Sequence, residues 1–204
     1  DRQCVVEIMG NATDQFARAG WTVRRFNRNT DTLNTAAQGA DVIVNGWNPP
    51  YQDWERLVPS LTAQVIEAAR LSDATVIVPG NVYVFGADTP APWSDVTPHQ
   101  AQNPLGRVRI EMEQAYRRSG VRTIILRAGD FLDTEALGNW FDRIMIPKLA
   151  DGRFTYPGAV DIPHAWAFLP DLCRAAGMLS DRRHELPQYT DQCFPGLTRS
   201  GEEM

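Results

Sequence analysis

The chain of 204 residues is predicted to be an α/β protein, a doubly wound parallel sheet followed by a small C-terminal region. Three observations predict it. Apolar runs rich in β-branched residues recur at 5–9, 22–26, 41–44, 75–78 and 122–126. Segments with helical spacing lie between most of them. The runs themselves are apolar throughout, as suits strands covered on both faces. Strand alternating with helix implies a parallel sheet with helices on both sides.

Taken in order, 5–9 reads as a buried strand, 12–19 as a helix closed by Gly20, and 22–26 as a second strand, which makes a β-α-β unit. The stretch "NRNTDTLNTAAQGA", 27–40, has room for at most one short helix, so a third strand there is expected to be absent. Residues 54–71 form the longest predicted helix, with Asp53 as its N-cap and Pro59 marking a kink or a later true start. Residues 108–119 form another, ended by Gly120. After Leu126 the pattern changes to an amphipathic helix at 137–149 interrupted near Pro147, a short strand at 154–156 and a helix at 170–179. The expected division is a core of residues 1–130 and a substrate-side region of 131–204 that returns some elements to the core. The last residues read as a helix start, and the first residue is Asp1, so the chain is expected to continue at both ends.

Composition narrows the function. Hydrophobic residues make up 43% and charged residues 22%, the balance of a globular protein. A net charge of -5 argues against a nucleic-acid partner, whose binding face is normally basic. Cys4, Cys173 and Cys193 are odd in number and far apart, which favours reduced thiols and a cytoplasmic setting. No apolar run has the length of a membrane span, and no signal peptide opens the chain. His99 and His184 have no partner at ligand spacing in the sequence, so no metal site is expected.

Four segments carry a family likeness: "GADVIVNGWNPP", "VIVPGNVYVFG", "NPLGRVRIEMEQAYRRSGVRTIILRAGDF" and "HAWAFLPDLCRAA". In this order and spacing they resemble the extended short-chain dehydrogenase/reductases, of the NAD-dependent epimerase/dehydratase type, over nearly the whole chain. The resemblance implies a Rossmann-like fold, an NADP or NAD cofactor, a small-molecule substrate, and pairing through helices 54–71 and 108–119 as the route to a homodimer.

It also assigns residues. The family's glycine-rich phosphate cradle would begin at Gly10 in "IMG", but its remainder is missing, because "NATDQFARAGW" already reads as the following helix. Either the loop is deleted or it is absent from the sequence as written. The second is favoured, since a strand feeding a helix through one residue has too little chain to turn; such loops take about 2–6 residues. At the end of the second strand Asn27 and Arg28 stand where NAD-specific members carry an acid. A guanidinium there suits a 2′-phosphate, which leans the expectation to NADP; the plain alternative is a solvated arginine. Asn45 and Gly46 would border the adenosine, Gly80 would open the segment beside the cofactor, and Pro49, Pro50 and Tyr51 would wall the substrate opening.

The reacting residues depart from the family. Its tyrosine and lysine, four residues apart on one helix face, are replaced by Leu105 and Arg109. Leucine has no proton to give, and arginine holds a ribose without losing its own proton. Glu113 matches an acid often found there. Tyr83, with Asn81 two residues before it, is the candidate phenol, and Asn81 a candidate to orient a carbonyl. Asp130, Phe131 and His164 are candidates for the substrate pocket. Three readings follow: an NADP-dependent oxidoreductase or epimerase-like enzyme acting on a small hydroxyl or carbonyl substrate; a cofactor-binding redox sensor or regulator without turnover; and an interaction module with no nucleotide.

Overall fold

The computed structural model describes residues 4–8, 12–135 and 138–204. In chain order the elements are β1 (Cys4–Ile8), α1 (Thr13–Arg18), β2 (Thr22–Arg25), α2 (Leu33–Ala36), β3 (Val42–Asn45), α3 (Trp54–Ser72), β4 (Thr75–Gly80), α4 (Pro104–Ser119), β5 (Thr123–Arg127), β6 (Asp130–Leu132), β7 (His164–Phe168), α5 (Leu169–Asp181), β8 (Tyr189–Cys193) and β9 (Leu197–Arg199). Six strands form one sheet in the order β2-β1-β3-β4-β5-β8, and every neighbouring pair is parallel. From β1 the chain steps outward to β2, then returns past β1 to β3 and continues the other way. That reversal is the doubly wound topology, and its switch point lies between β1 and β3.

Side chains of a strand alternate between the two faces of its sheet. Val6, Ile43, Val76, Val78 and Ile125 join α2, α3 and α4 in one core, where Trp54, Val65, Ala69, Met112 and Tyr116 are buried. Val5, Val42, Val44, Ile77, Ile124 and Leu126 face the other way and meet Phe16 of α1 and Leu172, Cys173 and Ala176 of α5. This two-sided burial is why the strand runs lack polar alternation. Burying each large side chain contributes roughly 1.5–3 kcal/mol, so the sheet's apolar faces are the main source of stability.

The long helices start and stop for local reasons. Asn103 Oδ1 accepts from the Gly106 N–H at 2.7 Å, and Pro104 occupies the first turn of α4, where a missing N–H costs nothing. Gly120 ends α4 with φ 72°, and Asp73 ends α3 with φ 57°, a left-handed conformation that aspartate tolerates. Pro59 lies inside α3 without ending it. Asp53 does not cap that helix with its side chain; its carboxylate binds Arg56 at 2.8 Å instead.

Several expectations are corrected. β1 ends at Ile8 and α1 starts at Thr13, so residues 9–12 connect them. Residues 9–11 of that junction, on which the reading of a shortened or missing loop falls, lie outside the described residues. Of the helix expected at 137–149, Leu137 lies outside the described residues and only a π-helical turn at Phe141–Met145 forms. Pro147 and Gly152 bracket a second short turn, Leu149–Asp151. Residues 154–156 form no strand; the chain there has no regular secondary structure. Conversely β6, β7, β8 and β9 were not expected. β6, β7 and β9 make a second, three-stranded sheet, and β8 extends the main one. Among the described residues β2 is the last strand on its side of the sheet, and the 27–40 interval holds the short helix α2. No described helix is long and apolar enough to cross a membrane.

Candidate active site at the carboxyl edge of the sheet

In open α/β sheets ligands bind beyond the carboxyl ends of the strands, near the switch point. Here those ends bring together Asn27 and Arg28 after β2, Asn45 and Gly46 after β3, Gly80 to Tyr83 after β4 and Asp130 shortly after β5. Gly10, after β1, lies outside the described residues.

Tyr51 and Tyr83 share a hydrogen bond between their hydroxyls at 3.1 Å. Tyr51 stands on a 3-10 turn, Tyr51–Asp53, held by the Pro50 carbonyl, which accepts from the Asp53 N–H. Pro49 takes part through its carbonyl, which accepts from Trp54 Nε1 at 2.9 Å. Tyr83 is placed by Asn81, whose Oδ1 accepts from the Tyr83 N–H at 3.1 Å. The Asn81 carbonyl in turn accepts from Arg127 Nη1 at 2.5 Å. Tyr83 also packs on Trp54, ring centres 6.1 Å apart. Its phenol is pushed well above the usual range by burial first, then by the bond to Tyr51 and by the negative charge of Asp130, with Arg109 opposing. Tyr83 is therefore a proton holder at neutral pH, not a phenolate.

Leu105 and Arg109 lie one turn apart on α4. Leu105 packs against the core beside Tyr83. Arg109 is buried, donates through Nη2 to the Pro79 carbonyl at 2.7 Å and lies 5.5 Å from the Trp54 ring centre. Burial lowers its pKa. Gly106 between them sits directly on the Tyr83 carbonyl, where an added Cβ would lie 2.6 Å from that oxygen.

Asp130 and His164 form a pair, Oδ2 to Nε2 at 2.8 Å, about one third exposed on each side chain (39% and 34%). β6 and β7, paired in parallel, bring them together. His164 lies nearly parallel to Trp140 and 4.4 Å from the ring centre of Trp166. Phe131, beside Asp130, is half-buried against the core of α1 and α5.

On the other side of the switch point, Asn27 Oδ1 accepts from Asn29 N–H at 3.0 Å and shapes the turn after β2. Arg28 lies 5.3 Å from the ring centre of Trp47. Asn45 is buried; its amide donates to Tyr116 Oη at 2.9 Å and its Oδ1 accepts from the Trp47 N–H. Gly46 leaves the backbone between them bare. Gly80 has a packing reason to be glycine, because a Cβ there would come within 2.6 Å of Ile125 Cγ2.

One buried network was not legible beforehand. Arg127 on β5 binds Glu113 on α4 and Asp191 on β8, while His99 lies 3.6 Å from Glu113 and 3.5 Å from Asp191. Thus His99 does have acidic partners, contrary to the sequence reading. The three ligand atoms of His99, Glu113 and Asp191 fall within 4.8 Å of one another. Arg127 Nη2 already bonds the same Glu113 and Asp191 oxygens, so a fixed cation occupies their middle. The spacing of Arg109 and Glu113 on one helix face was the available signal; the approach of β8 was not.

No protein-family model and no curated protein matches the chain. Solved structures do. It is similar to a UDP-glucose 4-epimerase from Brucella ovis in complex with NAD, at 16% identity and a TM-score of 0.77 over 98% of this chain and 80% of that one. A dTDP-4-dehydrorhamnose reductase from Bacillus anthracis in complex with NADP matches at 14% identity and a TM-score of 0.74 over 98% and 77%. An L-threonine dehydrogenase from Phytophthora infestans matches at 18% identity and a TM-score of 0.74 over 100% and 79%. With such neighbours and a six-stranded parallel sheet, the chain has the Rossmann-like α/β fold that these NAD- and NADP-bound structures share.

Proposed function

We propose that the protein binds NADP, or NAD, at the carboxyl edge of its sheet and acts as an oxidoreductase or epimerase-like enzyme on a small hydroxyl or carbonyl compound. The fit of such a cofactor is supported by a donor that the protein leaves unsatisfied at this edge. Trp47 Nε1, beside Gly46, is buried without a partner among the described residues. Unpaired buried donors are costly, and a ligand rich in phosphate and ribose oxygens relieves that cost. Asn27, Arg28 and Gly46 would hold the adenosine half, with Arg28 favouring the 2′-phosphate of NADP. Gly10 belongs to the same proposal, on the strength of the sequence likeness.

The observation that carries an enzymatic reading is the Tyr51–Tyr83 hydroxyl pair beside Asp130. The bound cofactor supplies hydride chemistry at its nicotinamide. Tyr83 Oη holds the proton that a substrate oxygen needs, and Tyr51, which is 54% exposed, links that hydroxyl to solvent. A phenol with a raised pKa still gives its proton to a developing alkoxide, the stronger base, but does not serve as a base near neutral pH. The site is therefore suited to reduction of a carbonyl. Asn81 keeps the tyrosine in place through the main-chain bond. Arg109 is spent on Pro79 and Trp54, so it acts by positioning the loop after β4. The three unbridged cysteines support a reducing, cytoplasmic setting.

A second reading is favoured by one observation: Leu105, on the turn of α4 that faces Tyr83, has no titratable group. A nucleotide-binding redox sensor or regulator without turnover would tolerate that. Fluorescence titration with NADPH and NADH, followed by a carbonyl panel on wild type and Tyr83→Phe, separates the two. We expect tighter NADPH binding and a fall of about 10²-fold or more in turnover for Tyr83→Phe. Binding without turnover in wild type supports the sensor; tighter NADH binding sinks the Arg28 argument.

A further inference from the structure

A pocket of about 450 Å³ opens beside Tyr83. Val82, Tyr83, Ala87, Trp93 and Leu105 wall it, and Asn103 supplies its polar side chain. Volumes of this size accept a small ring system. Two features of the lining decide what kind. Among the described residues no lysine, arginine, aspartate or glutamate lines it, so a phosphate or a carboxylate would enter without a counter-charge. The lining is also partly aliphatic, through Val82, Ala87 and Leu105.

The aromatic wall is fixed. Trp93 Nε1 donates to the Thr89 carbonyl at 3.0 Å, and the indole packs on buried Phe85, ring centres 5.0 Å apart. The residue as a whole is nonetheless 37% exposed. Such a tryptophan offers contact area with little side-chain freedom to lose. Asn103 Oδ1 is used on Gly106, which leaves the amide N–H₂ as the donor at this rim.

We propose that this pocket binds the apolar part of the substrate, a neutral aromatic or alicyclic ring carrying the carbonyl or hydroxyl that Tyr83 addresses. The inference rests on the reading of Tyr83 given above and names the substrate class for that site: a neutral ring compound, not a phosphorylated sugar.

The test uses 1-indanone as the neutral ring ketone and UDP-glucose as the charged polar comparator. Binding is followed by saturation-transfer NMR and tryptophan fluorescence, with and without NADPH. Ala87 is exposed, so Ala87→Phe fills the pocket without disturbing the core. Wild type is expected to bind 1-indanone, Ala87→Phe to bind it at least about 10-fold more weakly, and Trp93→Ala to lose the fluorescence response. Equal binding by Ala87→Phe, no binding of 1-indanone in either cofactor state, or preference for UDP-glucose overturns the proposal. NADPH affinity is measured on the same samples. Loss of 1-indanone binding with NADPH binding intact removes the pocket alone, and the reverse removes the cofactor reading alone.

Discussion

Arg127 meets Glu113 through two parallel bonds, Nη1 to Oε1 at 3.2 Å and Nη2 to Oε2 at 2.8 Å, with both side chains almost fully buried. The same guanidinium bonds Asp191 twice, so one side chain ties α4, β5 and β8 together. Removing it strands two carboxylates in the interior. Arg127→Met is expected to lose about 3–5 kcal/mol of stability, measured by urea unfolding. A loss under about 1 kcal/mol would show that solvent reaches the pair.

Asp191 gives the acid limb of stability a defined sign. Burial acts to raise its pKa, but hydrogen bonds from His99 and Arg127 and their charges outweigh it, and the net shift is downward. A carboxylate with a depressed folded pKa contributes stability above its unfolded value, about 3.9, and loses it as pH falls through the folded one. Unfolding measured across that range should show a shallower pH slope for Asp191→Asn than for wild type. An unchanged slope would place the acid sensitivity elsewhere.

Tyr83 sets the alkaline side. Its folded pKa is raised, so its contribution is present below the unfolded phenol value near 10 and is lost as pH rises through the folded one. Absorbance titration should therefore show no Tyr83 phenolate at about pH 9–10, and the difference from Tyr83→Phe should emerge only at higher pH. Turnover is expected to show no break near neutrality from this residue.

Tyr116 is the sole described side-chain partner of the Asn45 amide. Tyr116→Phe leaves that buried donor unmade at the strand end that borders the switch point. The expected cost is about 1–3 kcal/mol, read as a lowered unfolding midpoint. A neutral result would mean that water replaces the hydroxyl.

Gly106 separates α4 from the loop that carries Tyr83. A Cβ there meets Ala101 Cβ and the Tyr83 carbonyl. Gly106→Ala should cost about 1–3 kcal/mol and move the Tyr83 hydroxyl, seen as altered Tyr51–Tyr83 contact by NMR. Full stability in this variant would show that the loop yields.

The core was legible in sequence because its strands are buried on both faces: runs such as "DVIV" and "TIIL" admit no other environment. β6, β7 and β9 were not, since their second sheet is short and only half covered, and Asp130 and His164 sit on it among polar neighbours. β8 reads "YTDQC", a polar run that takes strand form because β5 lies beside it and Arg127 awaits Asp191. For the site, Tyr83 and Asn81 were candidates because the family resemblance puts the segment "PGNVYVFG" beside the substrate. The Tyr51 contact depends on how α3 and β4 meet, and Arg109's commitment to Pro79 and Trp54 depends on tertiary burial. Neither relation leaves a mark on local sequence.

Among the described residues the sheet stops at β2, four residues long and bonded on one side only. An open strand margin is a template on which another chain can add itself, the first step of aggregation. Here that margin carries Arg24 and Arg25. Arg24 is pinned by Nε to Cys4 Sγ at 2.7 Å and by Nη2 to the Gln38 carbonyl at 2.9 Å, and Arg25 Nε donates to Thr13 Oγ1 at 2.9 Å. Two anchored cations on so short a ribbon repel an incoming copy of themselves. Among the described residues, then, the open margin of the sheet is marked by fixed positive charge at Arg24 and Arg25, which disfavours strand addition by a second copy.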